Sequence, residues 1–479
     1  MNKPSILTAE EEKECRPNPD QFERYLPWAC KQLQVEMKVV VTKIVQHEYV
    51  SVSALSERSR NKAKNKSKAI QSKIDVASEE NKQDTVKLSL ATQNLVNIFA
   101  VYDNSDNLVQ IKFEKNRQIP RVIFKTIALI IKYQLYLTSV VINKGLDHFG
   151  VYELCKLLSV AHITEVCLDD TALKNANYHI LLENSTVLRQ LSLSRCSIDD
   201  HIIETIAATL VHPLPASKTL SILNLSSNRI SDLGAKYLAE ALRSNRHLCY
   251  LNLADNMISD DGAEIILNCL KEFPLVSDEL MASKARLMKF LKDKNDLIGR
   301  MVKDLRSSEF EKRPVKRKTL RPASTATGKR KGVDQSSSIK SMPESKSLAN
   351  LDAVLMEKAV VMAENMIGEF NDPFSRINTF VTDGIVQCYG NNMLAYLNLA
   401  YNNLTFITVK KLLDVLLLQK SYGRNPKGII NVSIEGNNMP VACKELWDID
   451  EILEMGLMSN NAKLSMTKKR TVPKTVPRL

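Results

Sequence analysis

Residues capable of covalent or metal chemistry are present in this sequence, but they do not stand at catalytic spacings. None of the nine cysteines and seven histidines matches the ligand spacing of a zinc site or a nucleophile–base pair. No glycine-rich phosphate loop, Walker motif, GxSxG elbow or HExxH helix occurs. The acidic pair before His201 is better interpreted as a helix start, because Asp is a preferred capping residue. We therefore expect no enzyme activity, no metal and no cofactor.

The residues that do recur at regular spacing are polar and aromatic, which is typical of noncovalent recognition. Tyr is enriched at protein interfaces, so these residues form a candidate surface for a protein partner. The alternative is that they are only polar, strand-compatible residues that face water. The candidate residues are Gln190, Ser192, Ser194, Asn224, Ser226, Tyr250, Asn252, Tyr396 and Asn398.

A repeated pattern, LxxLxLxxNxI followed by a helical segment, must position these residues. In this pattern the leucines form a short strand that fills a core, and the Asn satisfies backbone groups of the adjoining turns. The copies that begin at Leu220, Leu248 and Leu394 are nearly complete, and the copy that begins at Ile429 carries Met439 at the last position. The first three copies along the chain are degenerate. The predicted repeats 1 to 8 begin at Leu108, Leu137, Ile163, Leu188, Leu220, Leu248, Leu394 and Ile429.

This pattern predicts an α/β fold, a leucine-rich repeat solenoid of the ribonuclease-inhibitor-like horseshoe type. The period near 28 residues leaves room for one helix per repeat, and the candidate residues then line the concave strand face. Asp232 and Asp260 are predicted to cap two of the helices. If repeats 6 and 7 stack directly, Tyr250 lies beside Tyr396 and Asn252 beside Asn398.

The predicted domains follow from where the pattern starts, stops and resumes. A helical and charged N-terminal region is expected, with a helix over 20–52 and a helix or linker over 56–82. The insert is expected to hold two helices around a disordered basic stretch, since that stretch is poor in apolar residues. The domains are 1–104 for the N-terminal region, 105–274 for repeats 1–6, 275–393 for the insert with disorder at 306–347, 394–445 for repeats 7–8, and 446–479 for a basic tail.

The net charge of +12 is concentrated outside the repeats: residues 306–346 hold twelve Lys/Arg and four Asp/Glu. Such a stretch could adhere to an acidic polymer such as tubulin tails, act as a nuclear-import signal, or serve as a solvated linker. Few aromatic residues accompany it, and this argues against nucleic-acid binding because bases stack on aromatic side chains. The basic residues proposed for adhesion are Lys312, Arg313, Lys316, Arg317 and Lys318.

Three stretches, residues 223–273, 277–288 and 373–405, resemble the leucine-rich repeat proteins of motile cilia and flagella. The position of the insert between repeats 6 and 7 is the more specific part of this resemblance. It implies a non-enzymatic axonemal component with microtubule-associated protein partners, in the cytoplasmic cytoskeleton. It implies no catalytic residues.

Two alternatives compete with that interpretation. A nucleocytoplasmic adaptor would use the repeats for a protein partner and residues 312–318 for nuclear import. A GTPase-activating protein of the Ran type shares this repeat class and would use a loop arginine such as Arg195 or Arg229, but its long acidic tail is missing here. No apolar run is long enough to span a membrane, and the N-terminus predicts no secretory signal.

Overall fold

A computed structural model describes residues 16–45, 95–183, 187–312, 344–424, 426–440 and 442–469. The chain divides into a first unit, Met1–Phe273 with Tyr389–Leu479, and a second unit, Pro274–Cys388. No helix in the described ranges is long and apolar enough to cross a membrane. The predicted segment 56–82 lies outside the described residues.

The strands are β1 (Lys38–Val45), β2 (Leu95–Tyr102), β3 (Leu108–Phe113), β4 (Ser139–Ile142), β5 (Glu165–Cys167), β6 (Gln190–Ser192), β7 (Ile222–Asn224), β8 (Tyr250–Asn252), β9 (Phe273–Pro274), β10 (Thr379–Thr382), β11 (Ile385–Cys388), β12 (Tyr396–Asn398) and β13 (Asn431–Ser433). The helices are α1 (Phe22–Gln32), α2 (Arg121–Ile130), α3 (His148–Val160), α4 (Ile180–Glu183), α5 (Asp200–Thr209), α6 (Ala216–Thr219), α7 (Asp232–Ser244), α8 (Asp260–Asn268), α9 (Ser277–Lys312), α10 (Glu344–Ile367), α11 (Phe406–Ser421) and α12 (Lys444–Lys469).

The first unit is organised by one sheet in the order β1-β2-β3-β4-β5-β6-β7-β8-β12-β13. All neighbours from β3 onward are parallel. Each of the eight predicted repeat starts leads into one of these strands. The sheet passes from β8 directly to β12, although a long stretch of chain separates them in sequence. Strands and helices therefore alternate as an α/β repeat solenoid.

Leucines at the repeated strand positions form the core of the first unit. Leu223, Leu251 and Leu397 are aligned in register, and all three are buried. Their neighbours in sequence point to the other side of the strand because side chains alternate along a β-strand. Burial of this leucine row against the helices supplies the hydrophobic free energy that no single repeat could supply alone.

A row of buried or half-buried Asn side chains joins each of repeats 5 to 8 to the one before it. The Asn256 carboxamide oxygen accepts from the backbone N–H of Ile230 at 3.1 Å, and its nitrogen donates to the carbonyls of Leu225 at 3.1 Å and Leu253 at 3.0 Å. Ile230 and Leu225 belong to the preceding repeat. Comparable bonds are made by Asn228, Asn402 and Asn437.

Weaker substitutes occupy the Asn position in two earlier repeats. The Thr171 hydroxyl donates to the carbonyl of Ile142 at 3.0 Å, and the Cys196 thiol donates to that of Leu168 at 3.2 Å. Each replaces one of the bonds that an Asn would make. The degenerate repeats therefore keep the contact between neighbouring repeats with fewer hydrogen bonds.

A second row of side chains, made of Asp residues, links the helix starts. The Asp232 carboxylate accepts from the backbone N–H and hydroxyl of Ser259, at 2.7 and 2.6 Å, and from the N–H of Gly262 at 3.1 Å. Asp232 thus stabilises the helix of the next repeat. Asp200 makes the same bonds to Ser231 and Gly234, and Asp260 makes similar bonds to Thr405 and Thr408.

The predicted capping role of Asp232 and Asp260 within their own helices is therefore wrong. The N-caps of these helices are Ser231 and Ser259, whose hydroxyls accept backbone N–H groups. Burial alone would raise the pKa of the Asp260 carboxyl, but the hydrogen bonds from Thr405 and Thr408 outweigh it and hold this pKa below its usual value. These side chains act between repeats because each carboxylate lies within hydrogen-bonding distance of the helix start in the following repeat.

The N-terminal region differs from the predicted helix. Helix α1 is present, but residues 38–45 and 95–102 form strands β1 and β2, which pair in parallel. Strand β2 then pairs antiparallel with β3. Its sequence LVNIFAVY is rich in β-branched and aromatic residues, and its side chains alternate between buried and half-buried. The sheet therefore extends two strands beyond repeat 1.

The second unit consists of the helices α9 and α10 and a hairpin. The two helices bury Ile298, Met301, Ala359 and Ala363 against each other. Strands β10 and β11 form an antiparallel hairpin. Its turn, Asp383-Gly384, has positive φ at both residues, as a tight two-residue hairpin requires.

In one ion pair of the second unit, the acidic side chain is completely buried. The Asp372 carboxylate has no exposed side-chain surface and accepts from Arg286 Nε at 2.5 Å and from the Ser283 hydroxyl at 2.9 Å. Burial would raise the pKa of Asp372, but the bonds from Arg286, Phe374 N–H and Ser283 outweigh it and lower this pKa. Removal of Arg286 would leave a buried charge without its partner.

The predicted disordered stretch and the predicted basic tail are both in part helical. Residues 306–312 continue α9, where Arg306 pairs with Asp352 at 3.1 Å. Residues 446–469 of the predicted basic tail belong to α12, and Ile449 on that helix packs into the core of the first unit. Residues 313–343 and 470–479 lie outside the described ranges.

We predict that Leu251→Asp abolishes the native fold of the first unit. The substitution places a carboxylate in the leucine row without a partner, a cost beyond the roughly 2–5 kcal/mol of a buried Leu→Ala change. The matched control is Leu233→Asp, since Leu233 is 48% exposed in the first turn of α7, where an acid is favourable. Circular dichroism during heating checks both. A cooperative, wild-type-like transition in Leu251→Asp would show that this position is not core.

We predict that Gly262→Ala destabilises the first unit by about 1–3 kcal/mol, the usual cost of overpacking. A Cβ at Gly262 would overlap with the Asp232 carboxylate that bonds its N–H. The control is Gly456→Ala in α12, where the nearest atom would be Ile430 Cγ2 at 3.8 Å. This helix position should gain up to about 1 kcal/mol. Urea unfolding measures both, and equal effects would contradict the Asp–Gly contact.

Candidate protein-interaction surface

Seven of the nine candidate residues stand in two columns on the side of the sheet opposite the leucine row, and Ser194 and Ser226 follow the second column. In the first column Gln190, Ile222, Tyr250 and Tyr396 are aligned on neighbouring strands. The predicted juxtaposition of Tyr250 and Tyr396 is confirmed by this register. The second column aligns Ser192, Asn224, Asn252, Asn398 and Ser433.

The two tyrosines form an aromatic pair at the centre of the first column. Their ring centroids are 6.0 Å apart with planes inclined by 34°, within the range of favourable ring pairs. Tyr396 is 39% exposed, and Tyr250 and Ile222 are half-buried. Together these three side chains present rigid apolar area to solvent, and each phenol adds a hydroxyl that can bond a partner.

The Asn residues of the second column each use one of their two polar groups locally. The side-chain oxygens of Asn252 and Asn398 accept from the backbone N–H two residues on, both at 3.0 Å. Within the described residues, the amide nitrogens of these two side chains have no acceptor. They are thus fixed in orientation and retain N–H donors for a partner. Asn224 differs, since its nitrogen donates to Ser192 Oγ at 2.9 Å.

At one end of the surface, called the serine end, Ser192, Ser194 and Ser226 use their polar groups in hydrogen bonds within the protein. Ser192 and Ser194 are only 7% and 4% exposed. The Ser192 hydroxyl and the Ser194 N–H both donate to Asp169 Oδ1, at 2.6 and 2.9 Å. Ser226 donates in turn to the Ser194 hydroxyl at 3.0 Å. These serines therefore hold neighbouring repeats together, and Gln190, which is half-buried, remains accessible.

Sequence reasoning missed two residues of this surface. Asp169 organises the serine end, and its position three residues after the buried Val166 of β5 was the available signal. Tyr401 is 60% exposed and adopts φ of 55°, a left-handed conformation that is costly for a bulky residue. Its ring lies over Gly436, where any Cβ would overlap with it.

The two loop arginines are ordinary surface residues. Arg195 forms a bidentate pair with Asp170, at 2.6 and 3.0 Å. This pairing lowers the pKa of the Asp170 carboxyl and raises that of the Arg195 guanidinium. The Arg229 side chain is exposed, and its backbone N–H donates to the carbonyl of Ile198. The Asp199 side chain accepts from the N–H of Ile202 at 3.0 Å, so the first residue of the acidic pair before His201 caps a helix, as predicted.

The remaining candidates are the basic adhesion residues and possible metal ligands. Of the proposed basic adhesion residues, Lys312 ends α9, whereas Arg313, Lys316, Arg317 and Lys318 lie outside the described residues. Across the described ranges, no group of three or more His, Cys, Asp or Glu side chains could hold a metal ion.

Comparison with known families bears on the two most regular repeats. The family model described as Leucine Rich repeat matches residues 216–239 and 244–266. These segments are leucine-rich repeats. They cover repeats 5 and 6, and the parallel sheet extends the same strand–helix alternation to their neighbours. The match is to a module that binds proteins and not to a catalytic family.

Other comparisons add little. A solved structure of the leiomodin-1 actin-binding site 2 is 27% identical over 20% of this chain and 54% of that one, with a TM-score of 0.18. The chain thus spans about half the length of that structure, and the TM-score is too low to inform its fold or partner. No curated protein matches the sequence.

Proposed function

We propose that the chain is a non-enzymatic scaffold and that it binds a protein partner through the strand side of repeats 5 to 7. The observation that carries this proposal is the aromatic pair of Tyr250 and Tyr396 beside the amide donors of Asn252 and Asn398. The pair combines apolar area with fixed polar groups, which is the composition of interface hot spots.

The arrangement is preorganised for binding. The Asn oxygens are held by backbone N–H groups, and the tyrosine rings hold each other, so few rotamers would be lost when a partner docks. The serine end, satisfied by Asp169, offers less to a partner. We therefore place the centre of the docking surface at Tyr250 and Tyr396 and not at Ser192 or Ser194.

We further propose that the repeats form a horseshoe of the ribonuclease-inhibitor type with this surface on its concave side, and that the assembly is the axoneme of a motile cilium or flagellum. The support for the horseshoe is the period near 28 residues with a helix in most repeats. The support for the axoneme is the resemblance carried by residues 223–273, 277–288 and 373–405. Its partners would then be axonemal or microtubule-associated proteins.

We predict that the double substitution Tyr250→Ala and Tyr396→Ala reduces partner recovery at least about tenfold, since two hot-spot tyrosines contribute 1 kcal/mol or more each. The measurement is affinity purification of the full chain from ciliated cells, at low and high salt. The control is Tyr152→Ala, because Tyr152 is 47% exposed on α3, away from the strand face. Equal recovery with both variants contradicts the docking surface. Recovery that high salt alone abolishes would instead indicate the basic stretch around residues 312–318.

We also predict that the tagged full chain localises along cilia. Fluorescence microscopy of ciliated cells measures this directly. Accumulation in nuclei, lost when the basic residues of 312–318 are replaced by alanine, would contradict the axonemal role and support the nucleocytoplasmic adaptor.

A further inference from the structure

A cleft of about 500 Å³ lies where the strands of repeats 3 to 6 begin. Its lining includes the basic or titratable side chains of His162, Arg189, Lys218 and His247. None of its lining residues is acidic, and Val187 is its one aliphatic side chain. The volume is within the range of small-ligand sites, and the lining chemistry suits an anion.

Three of the basic residues occupy repeated positions on either side of the first buried leucine or isoleucine of a repeat, and Lys218 lies two residues before Leu220. His162 and His247 directly precede Ile163 and Leu248, and Arg189 directly follows Leu188. At the other places in these two columns, Thr164 and Ser221 match Arg189 and Thr219 matches the histidines, while Val187 and Cys249 occupy the last two. Four successive repeats therefore contribute one polar cluster.

The fold does not require basic residues at these positions. The equivalent residues in repeat 7 are Met393 and Ala395, and in repeat 8 they are Gly428 and Ile430. The same strand geometry is built there without charge. Like charges placed close together cost free energy, so their concentration in repeats 3 to 6 is a property of this cleft.

Backbone hydrogen bonds fix the spacing between the lining residues. The Arg189 N–H donates to the carbonyl of Thr164 at 2.8 Å, and the Ser221 N–H donates to that of Arg189 at 2.8 Å. The His247 ring nitrogen Nε2 lies 3.2 Å from the Ser221 hydroxyl, and the backbone N–H of His247 donates to Asn245 Oδ1 at 2.9 Å. The cleft is thus preorganised by the repeats themselves.

The polar groups match a phosphate monoester better than a nucleotide. A dianionic phosphate can bond a guanidinium in a bidentate manner and accept from ammonium and hydroxyl groups. A nucleotide base would need an apolar or aromatic wall, and Val187 and the two imidazoles supply little of one. Within the described residues, no acidic side chain lines the cleft beside Arg189 and Lys218.

We propose that this cleft binds the phosphorylated side chain of a serine or threonine in a peptide segment of a partner protein. Arg189 and Lys218 bind the phosphate oxygens, and the hydroxyls of Thr164 and Ser221 complete the set of donors. This proposal stands independently of docking at Tyr250 and Tyr396, because the two sites share no residue.

Isothermal titration calorimetry of the full chain tests the proposal with four probes. They are a five-residue glycine peptide with a central phosphoserine, its unphosphorylated form, inorganic phosphate and AMP. We expect the phosphopeptide to bind, the unphosphorylated peptide not to bind, and both other probes to bind more weakly. Arg189→Gln and Lys218→Gln should each weaken phosphopeptide binding about tenfold, the loss typical of one charge-assisted hydrogen bond.

The matched control is Lys236→Gln, which removes an exposed cation of α7 that does not line the cleft. It should leave binding of the phosphopeptide within about twofold of wild type, since distant surface charges are screened. Arg189 and Lys218 are exposed, so both test variants should keep the wild-type thermal midpoint. The proposal is overturned if the phosphopeptide does not bind, if both variants bind it as wild type does, or if AMP or free phosphate binds more tightly.

Discussion

Hydrogen bonds between neighbouring repeats are the interaction on which the rest of this structure depends. A short strand and its turns expose backbone groups that one repeat cannot satisfy, and leaving them buried without partners costs free energy. The Asn side chains at the strand ends and the Asp side chains at the helix starts supply these partners from the adjacent repeat. The Asn256 carboxamide alone contacts two repeats. These polar groups therefore hold neighbouring repeats together, while burial of the leucine row supplies most of the hydrophobic free energy of folding.

The same hydrogen bonds decide which surface residues remain available for recognition. Where side chains on the strand face bond to one another, as at Ser192 and Asp169, they stabilise the stack and offer little to a partner. Where they bond only to their own backbone, as at Asn252 and Asn398, they keep donors directed outward. The cleft at the strand starts follows the same logic, because its basic groups exceed what the stack needs. The side chains available for function in this array are those that the fold holds in place but does not use for contacts between repeats.

Much of this could be predicted from the sequence, for definite physical reasons. The strands of all eight repeats, and the pairing of Tyr250 with Tyr396, follow from leucine spacing, since a fixed period implies a fixed register. The burial of Ser194 could not be predicted, because it depends on Asp169 of another repeat, whose side-chain direction no local pattern specifies. Strand β2 was missed since no repeat motif marks it. The role of Asp232 was misassigned because a carboxylate at a helix start can serve its own helix or the next one, and only the packing distance decides.

The direct pairing of β8 with β12 also has a kinetic meaning. Repeats 1 to 6 can assemble by adding each neighbour after a short connection, as repeat arrays do. Repeat 7 must first close a loop roughly five times longer, and the entropy of that closure adds about 1.5 kcal/mol to the barrier on a logarithmic dependence. Its contact order is correspondingly high, so its docking should be the slow step of folding. Until then Leu251 and Asp260 lack their partners from repeat 7, and the open end of the array is the part of the chain most exposed to aggregation and to chaperones.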